Sequence, residues 1–476
     1  MIRRLVMLMA VALLASVAFL GWRICESRLY EVKGLEFHVV HSLQSLRRTG
    51  TAYPDPAQPP HLLTQYGPLY YRLVSAQAPQ GLDPIDLITA GRRVSGFLSL
   101  ALLAVLGGLG LRLGLGWTLL LPTLALALAE VAPWIFLCRP DALTLLCFMA
   151  AVGSFMRAVP GDVGRGGPWP ALAAGVWSGL ALLSKQSAIM LLPLFPVLGW
   201  WGGRRAFVPA VAGCVAVLGS APWVAGAPWG QLLTQLMLGM NNGTSLIEAL
   251  HRAYEPASHV FPLHAAALVV AWGVLRDHRT RLAQSMLATA YIAAFVLAAI
   301  SALKVGSAWH YFNESVVCAF LLVGWKLTDL SKTGRMTSSL WALLILSVMA
   351  HGSFTALRRH NMYYQALPQV FRLTPEVARY VEKVMASGSD DLAFTPDREL
   401  PLWVPGCFVF PQPYFAEVLH EVNPDPGSWL RQDVASGRLR WLVLPEDTQP
   451  SAWLGETFEG FEFEASVPPF DIWRRR

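Results

Sequence analysis

Apolar runs of roughly 18 or more residues recur along most of this chain, and they constrain its fold more than any other feature. A run of that length crosses the hydrocarbon core of a bilayer as one helix, because a helix satisfies its own backbone hydrogen bonds there. Composition agrees. Hydrophobic residues make up 54% of the 476 and charged residues 14%, with a mean hydropathy of +0.44. A soluble domain carries about 25% charged residues. The ten-residue alternating segments of a membrane barrel are missing. The expected fold is therefore mainly α, a polytopic helical membrane bundle. About eleven spans are predicted, near 5–22, 94–113, 117–137, 142–158, 169–184, 187–202, 206–225, 259–275, 284–303, 312–328 and 337–357.

Orientation follows from Lys and Arg in the short loops. Arg3 and Arg4, Arg112, Arg157 and Arg165, Arg204 and Arg205, Arg276, Arg279 and Arg281, and Lys326, Lys332 and Arg335 fall in one alternate set. That set is expected to face the cytoplasm, with the N-terminus inside and the C-terminus outside. The net charge of +6 is then largely a topology signal. No basic block interleaved with aromatics suggests nucleic acid. Arg3, Arg4 and Ser16-Val17-Ala18 would also suit a cleaved signal peptide, but the apolar run continues to Trp22, which favours a retained helix. The six cysteines are scattered without metal-like spacing, and only Cys25 and Cys407 fall in outer regions.

Two regions are not membrane by composition. The first outer loop covers 23–93 and the tail covers 358–476, so the expected division is a membrane part at 1–357 and a C-terminal extracytoplasmic α/β domain at 358–476. A shorter outer loop covers 226–258. In the tail, Thr374-Pro375 precedes a helical pattern through Met385, whereas 390–397, 407–410 and 438–447 read as short strands. The tail carries no Gly-rich phosphate loop, and its plain reading is a cover over the membrane site. In the first outer loop, Leu35, Val39, Leu43 and Leu46 form one apolar helical face, which fits a helix lying in the membrane interface and closed by Gly50. A Pro-rich link with Tyr53 follows, then Tyr66-Gly67-Pro68-Leu69-Tyr70-Tyr71. Tyrosine prefers the headgroup level, with its ring in lipid and its hydroxyl in water.

Three outer connections hold cations that short outer loops normally avoid: Arg139 in Cys138-Arg139-Pro140-Asp141, Lys185 in Ser184-Lys185-Gln186, and Lys304 before Gly306-Ser307 and His310-Tyr311-Phe312-Asn313-Glu314. Each alone could snorkel to water, and Arg139 could simply pair with Asp141. Together with a carboxylate from the first outer loop, Glu36 or Asp55, they suit a lipid phosphate at the interface. Cations stabilise a leaving phosphate, a carboxylate takes the proton of an acceptor hydroxyl or amine, and tyrosines give a sugar ring a wall.

At these residues the chain resembles the membrane-embedded glycosyltransferases of the GT-C fold, and within them the branch of protein mannosyltransferases, lipid A aminoarabinose transferases and RgtA/B/C/D-like lipopolysaccharide-core transferases. The resemblance covers 1–357. It rests on Leu35-Glu36-Phe37-His38 through Gly50 and Tyr53, on Tyr66-Gly67-Pro68-Leu69-Tyr70, on Arg139-x-Asp141, on Ser184-Lys185-Gln186, and on Gly306-Ser307 with His310-Tyr311-Phe312 and Glu314. Many members carry Asp-Glu where this chain has Leu35-Glu36.

The resemblance implies an inverting enzyme that moves a sugar from a polyprenyl-phosphate donor to an extracytoplasmic lipid, glycan or protein acceptor. A bacterial inner membrane is the expected location, with the site facing the periplasm. In the relatives the Asp of that Asp-Glu pair is usually taken as the base or a metal contact; with Leu35 in its place, Glu36 is left as the base by elimination, with Asp55 and Asp141 as alternatives. Arg139, Lys185, Lys304, His310, Tyr66, Tyr70 and Tyr71 are implied at the donor. A divalent metal is consistent with the family, though no motif here indicates one. The competing readings are a transporter or flippase of lipid-linked sugars, and a binding protein with an inactive site. Transporters place charges near the midplane, often within inverted repeats, and neither feature is visible here.

Overall fold

The computed structural model describes residues 2–26, 35–56, 58, 60–79, 81, 83–113, 135–161, 164–240, 262–277, 282–303, 309–333, 373, 375–385, 391–397, 399–405, 407–408, 433–446 and 460–476. Helices dominate. In chain order they are α1 (Ile2–Cys25), α2 (Leu35–Thr49), α3 (Pro68–Gln77), α4 (Pro84–Leu113), α5 (Asp141–Ala158), α6 (Pro168–Ser184), α7 (Leu194–Gly202), α8 (Arg204–Gly219), α9 (Ala221–Ala225), α10 (Trp229–Met240), α11 (Pro262–Arg276), α12 (Leu282–Ala302), α13 (Asn313–Lys332), α14 (Pro375–Met385) and α15 (Leu400–Trp403).

Among the described residues four stretches are long and apolar enough to cross a membrane: Pro84–Leu111, Asp141–Ala158, Arg204–Ala225 and Leu282–Ala302. The chain is a membrane protein on that evidence. The spans expected at 117–137 and 337–357 lie almost wholly outside the described residues. The helix expected at 169–184 is present, but the stretch expected as one span at 187–202 is divided. Helix α6 stops at Ser184, a 3-10 turn covers Gln186–Leu191, and α7 begins only at Leu194, after Pro193. Proline has no N–H to donate and suits a helix start, so α7 begins after Pro193, whereas the earlier break falls at Lys185, whose backbone is extended (φ −157°, ψ 138°).

Helix α5 is the centre of the bundle. Most of its side chains are buried, including Phe148 and Phe155, and it packs on α4, α6 and α12. Helix α6 in turn packs closely on α8, where small residues on the shared faces allow backbone approach: Gly175 faces the Ala210 carbonyl and Gly179 faces Val217.

The first outer loop departs from the expected interfacial helix. Glu36, Phe37, Val39, Val40, His41, Leu43 and Gln44 are all buried, so α2 is covered on more than one face. It lies against α3 and α4, and Gln44 Nε2 donates to the Leu402 carbonyl of α15 at 2.7 Å, while Arg48 donates to the Pro405 carbonyl. The apolar stripe was legible, but the tail that covers the opposite face comes from more than 300 residues away. Gly50 closes α2 as expected, with φ +82° and its N–H on the Leu46 carbonyl.

A short hairpin, β1 (Pro160–Gly161) and β2 (Gly164–Arg165), lies between α5 and α6. In the tail, the expected helix is α14 and two of the expected strands are β3 (Leu392–Phe394) and β4 (Leu439–Pro445). Of the strand expected at 407–410, Cys407 and Phe408 are among the described residues, and Phe408 forms an isolated bridge to Ala393. The sheet is completed by the hairpin β5 (Phe461–Val467) and β6 (Phe470–Arg475), which the sequence reading did not pick out. Its order is β3-β4-β6-β5, with β3 and β4 parallel and the other pairs antiparallel. One face packs on α14 through Val381, Trp441, Val443 and Ile472.

Candidate functional site

The site is built at three helix ends. The chain bends at Leu137–Arg139, and Pro140 starts α5, placing Asp141 in its first turn, where the helix dipole favours a carboxylate. Lys185 follows the last residue of α6. Tyr66 precedes Gly67 and Pro68, which start α3.

These ends converge. Asp141 Oδ1 accepts from Lys185 Nζ at 2.7 Å, and its Oδ2 lies 3.2 Å from Arg139 Nε. Arg139 Nη2 donates to the Tyr66 hydroxyl at 2.8 Å. The Tyr66 ring centroid is 5.7 Å from the Arg139 guanidinium carbon and 6.0 Å from Lys185 Nζ, while the Tyr311 ring lies 5.0 Å from Lys185 Nζ. Arg139, Asp141 and Lys185 are all buried. Glu314, in the first turn of α13, is buried too and interacts electrostatically with Lys185. Two cations, a carboxylate between them and two aromatic rings thus share one desolvated place. Lys185 does not snorkel.

Backbone contacts fix Tyr66 there. The Gly67 N–H donates to the Ser184 carbonyl at 3.0 Å, and Gln186 Nε2 donates to the Gln65 carbonyl. The Tyr53 hydroxyl donates to the Tyr66 carbonyl at 2.5 Å. A Cβ on Gly67 would overlap the Leu183 carbonyl, so this approach requires glycine.

Glu36 is employed elsewhere. Its carboxylate, with no exposed surface, receives two bonds from Arg92: one from Nε at 2.8 Å and one from Nη2. The Cys138 N–H adds a third at 2.7 Å. Glu36 therefore ties α2 to α4 and to the residue before Arg139. Tyr70 is also engaged. Its hydroxyl lies 3.0 Å from the Gly91 carbonyl and 2.8 Å from Ser95 Oγ, and Ser95 in turn donates to the Arg139 carbonyl at 3.3 Å. Tyr71 packs edge-on against Tyr53. Burial pushes the hydroxyls of Tyr53, Tyr70 and Tyr71 above their ordinary range, so all three stay protonated.

Asp55 is exposed, between two carbonyls that are held. The Pro54 carbonyl accepts from Gln235 Nε2 at 2.6 Å, and the Pro56 carbonyl lies 2.8 Å from His61 Nδ1. Lys304 and the His310 side chain lie outside the described residues; the His310 backbone is in the short turn Trp309–Phe312. Among the described residues, no three His, Cys, Asp or Glu side chains gather to hold a metal ion.

The fold has known counterparts. The chain superposes along 97% of its length on 97% of ArnT from Cupriavidus metallidurans bound to undecaprenyl phosphate, with a TM-score of 0.59 and 13% identity. The chain has the GT-C fold. The archaeal oligosaccharyltransferase AglB from Archaeoglobus fulgidus, in complex with an inhibitory peptide and a dolichol-phosphate, carries the GT-C fold too. It matches over 98% of this chain and 74% of its own, with a TM-score of 0.56 and 12% identity. No protein-family model and no curated protein sequence matches.

Within this GT-C fold the sequence reading missed Arg92. The signal that found Arg139 and Lys185 applied to it as well: Arg92 sits at the predicted outer end of a span, where cations are disfavoured. What marks it out, its partner Glu36, lies 56 positions away in the chain.

Proposed function

We propose that this protein is a membrane glycosyltransferase that takes its sugar from a polyprenyl-phosphate carrier. The observation that carries the reading is the buried group Arg139–Asp141–Lys185 with Tyr66 and Tyr311 against it. Undecaprenyl phosphate and dolichol-phosphate are the lipids bound to the two similar structures, which supports a lipid phosphate as the ligand here.

In the proposed reaction, an acceptor hydroxyl or amine attacks the sugar's anomeric carbon. The bond from that carbon to the phosphate oxygen breaks, and the electron pair leaves with polyprenyl phosphate. Attack opposite the leaving group inverts the centre. Arg139 and Lys185 stabilise the charge that grows on the phosphate, in a place where little water screens them. Asp141 holds the two cations side by side. Tyr66 gives the sugar a face on which to stack, and Lys304 and His310, on the connection that leads to Tyr311, are assigned to the donor from sequence.

The acceptor's proton needs a carboxylate. Glu36 and Asp141 are both buried and their oxygens are engaged by Arg92, Lys185 and Arg139, so an acceptor cannot reach them. Asp55 is exposed on the loop that delivers Tyr66, and we assign it the base role. Glu36 and the Tyr70 hydroxyl then hold the backbone on either side of Arg139. The site is expected to face the outside of a bacterial inner membrane. Charged groups at helix ends favour this reading over a carrier, whose charges would lie at the midplane.

The test uses the full chain in nanodiscs with a panel of undecaprenyl-phosphate sugars. Lys185→Ala should weaken undecaprenyl phosphate binding by about 10–100-fold, the worth of one charge-assisted hydrogen bond at about 1.5–3 kcal/mol. Asp55→Asn should bind the lipid normally and release none of it from the donor. Equal lipid affinity in wild type and Lys185→Ala would remove the cation site from the reading.

A further inference from the structure

A second buried polar cluster joins the first outer loop to the tail. His61 Nε2 lies 2.9 Å from Asp433 Oδ2, across 372 residues of sequence, and His61 Nδ1 lies 2.8 Å from the Pro56 carbonyl oxygen. The other Asp433 oxygen pairs with Arg438 Nη2 at 2.6 Å. The side chains of His61 and Asp433 are 4% and 1% exposed.

The tail end of this cluster is rigid. Asp433 opens a tight turn in which the Gly437 N–H donates to the Val434 carbonyl at 3.0 Å, and Ser436 Oγ donates to the Asp433 carbonyl at 3.2 Å. Arg475 of β6 also donates to the Val434 carbonyl, and β4 starts right after the turn at Leu439. The carboxylate is thus presented by the sheet itself. The loop end is a proline carbonyl one residue beyond Asp55. An attachment alone would be cheaper with apolar contacts, since burying a charged group requires a partner at good geometry. A His–Asp pair instead fixes direction and register. Gln44 and Arg48 also reach the tail, donating to the Leu402 and Pro405 carbonyls, but they do so from α2.

We infer that Asp433 is a positioning residue of the transfer site: through His61 it holds the Pro54–Pro56 segment and so sets where Asp55 stands. Asp55 sits between two clamped carbonyls, Pro54 held by Gln235 of α10 and Pro56 held by His61. Releasing one clamp lets the carboxylate wander, and a misplacement near 1 Å costs about 100-fold in rate. Tyr66 and the cations keep their own contacts to Ser184 and Asp141, so donor binding does not depend on this strut. The inference rests on the assignment of Asp55 given above.

The experiment compares wild type with Asp433→Asn and, from the other side, His61→Gln, which leaves the Asp433–Arg438 pair within the tail intact. Amide hydrogen exchange in nanodiscs should quicken about tenfold or more across 51–66 and stay unchanged in α4 and α5. Turnover should fall about 10–100-fold while the Kd for undecaprenyl phosphate stays at the wild-type value. The double variant should be no worse than the poorer single one. Unchanged exchange across 51–66, or faster exchange with full turnover, overturns the inference. Full activity in Asp55→Asn would instead overturn the base assignment, and the exchange result would still decide whether Asp433 anchors the loop.

Discussion

Replacing Glu36 by Gln separates a chemical role from a structural one. In the folded protein the carboxylate receives two bonds from Arg92 and one from the Cys138 N–H, and neither charged partner has exposed surface. Glutamine keeps the shape but offers one oxygen, and it turns an N–H2 donor toward either a guanidinium or a backbone N–H. The Arg92 charge is left without a counter-charge. Removing one member of a buried ion pair costs about 3–5 kcal/mol. In thermal unfolding of detergent-purified protein this is a fall in Tm on the order of 5–10 °C. The double variant Glu36→Gln/Arg92→Met removes both charges, and replacing a whole buried pair is often near neutral. It should recover most of the loss, giving a coupling of about 2–3 kcal/mol. A Glu36→Gln protein as stable as wild type, yet without turnover, would refute this. That outcome describes a chemical base, and it would return Glu36 to that role.

Two further outcomes follow from the same geometry. Gly67→Ala puts a methyl group into the Leu183 carbonyl, so Tyr66 must lift off Arg139; lipid-phosphate affinity should fall about tenfold at an overpacking cost of about 1–3 kcal/mol, measured by the same nanodisc binding. His41 is buried in α2, and burial, with the nearby His38 adding to it, holds its imidazole down to about 3 from an ordinary 6.5. The unfolded chain therefore takes up this proton before the folded one does. Stability is full above about pH 6.5 and falls as pH drops toward 3, so Tm should decline more between pH 7.5 and 5 in wild type than in His41→Asn, and parallel declines would contradict it.

Much of the architecture was legible because the bilayer imposes it residue by residue. Apolar runs, loop cations and a Gly stop are local signals, and α5, α8 and α12 lie close to where those runs predicted them, while α4 reaches its predicted end but starts at Pro84, ten residues before the expected 94, inside the expected loop. The cations Arg139 and Lys185 were legible as well, since each falls in a connection that the loop-charge pattern marks as one expected to carry none. What they touch was not. Arg139 and Lys185 are 46 positions apart in the chain, and only the packing of α5 on α6 turns two odd residues into one Asp141-bridged pair.

The same division applies to Glu36. Its sequence neighbours specify an amphipathic helix with a charged first turn, and a carboxylate there reads as available. Availability is a tertiary property. It depends on Arg92, 56 positions away, and on a tail that covers α2 from more than 300 positions away. The sequence by itself determined a helical membrane protein with cations at helix ends, because hydropathy and charge act locally against the bilayer. Only the folded chain decided which acids are buried in ion pairs and which is exposed, because burial and pairing belong to surfaces assembled from distant segments.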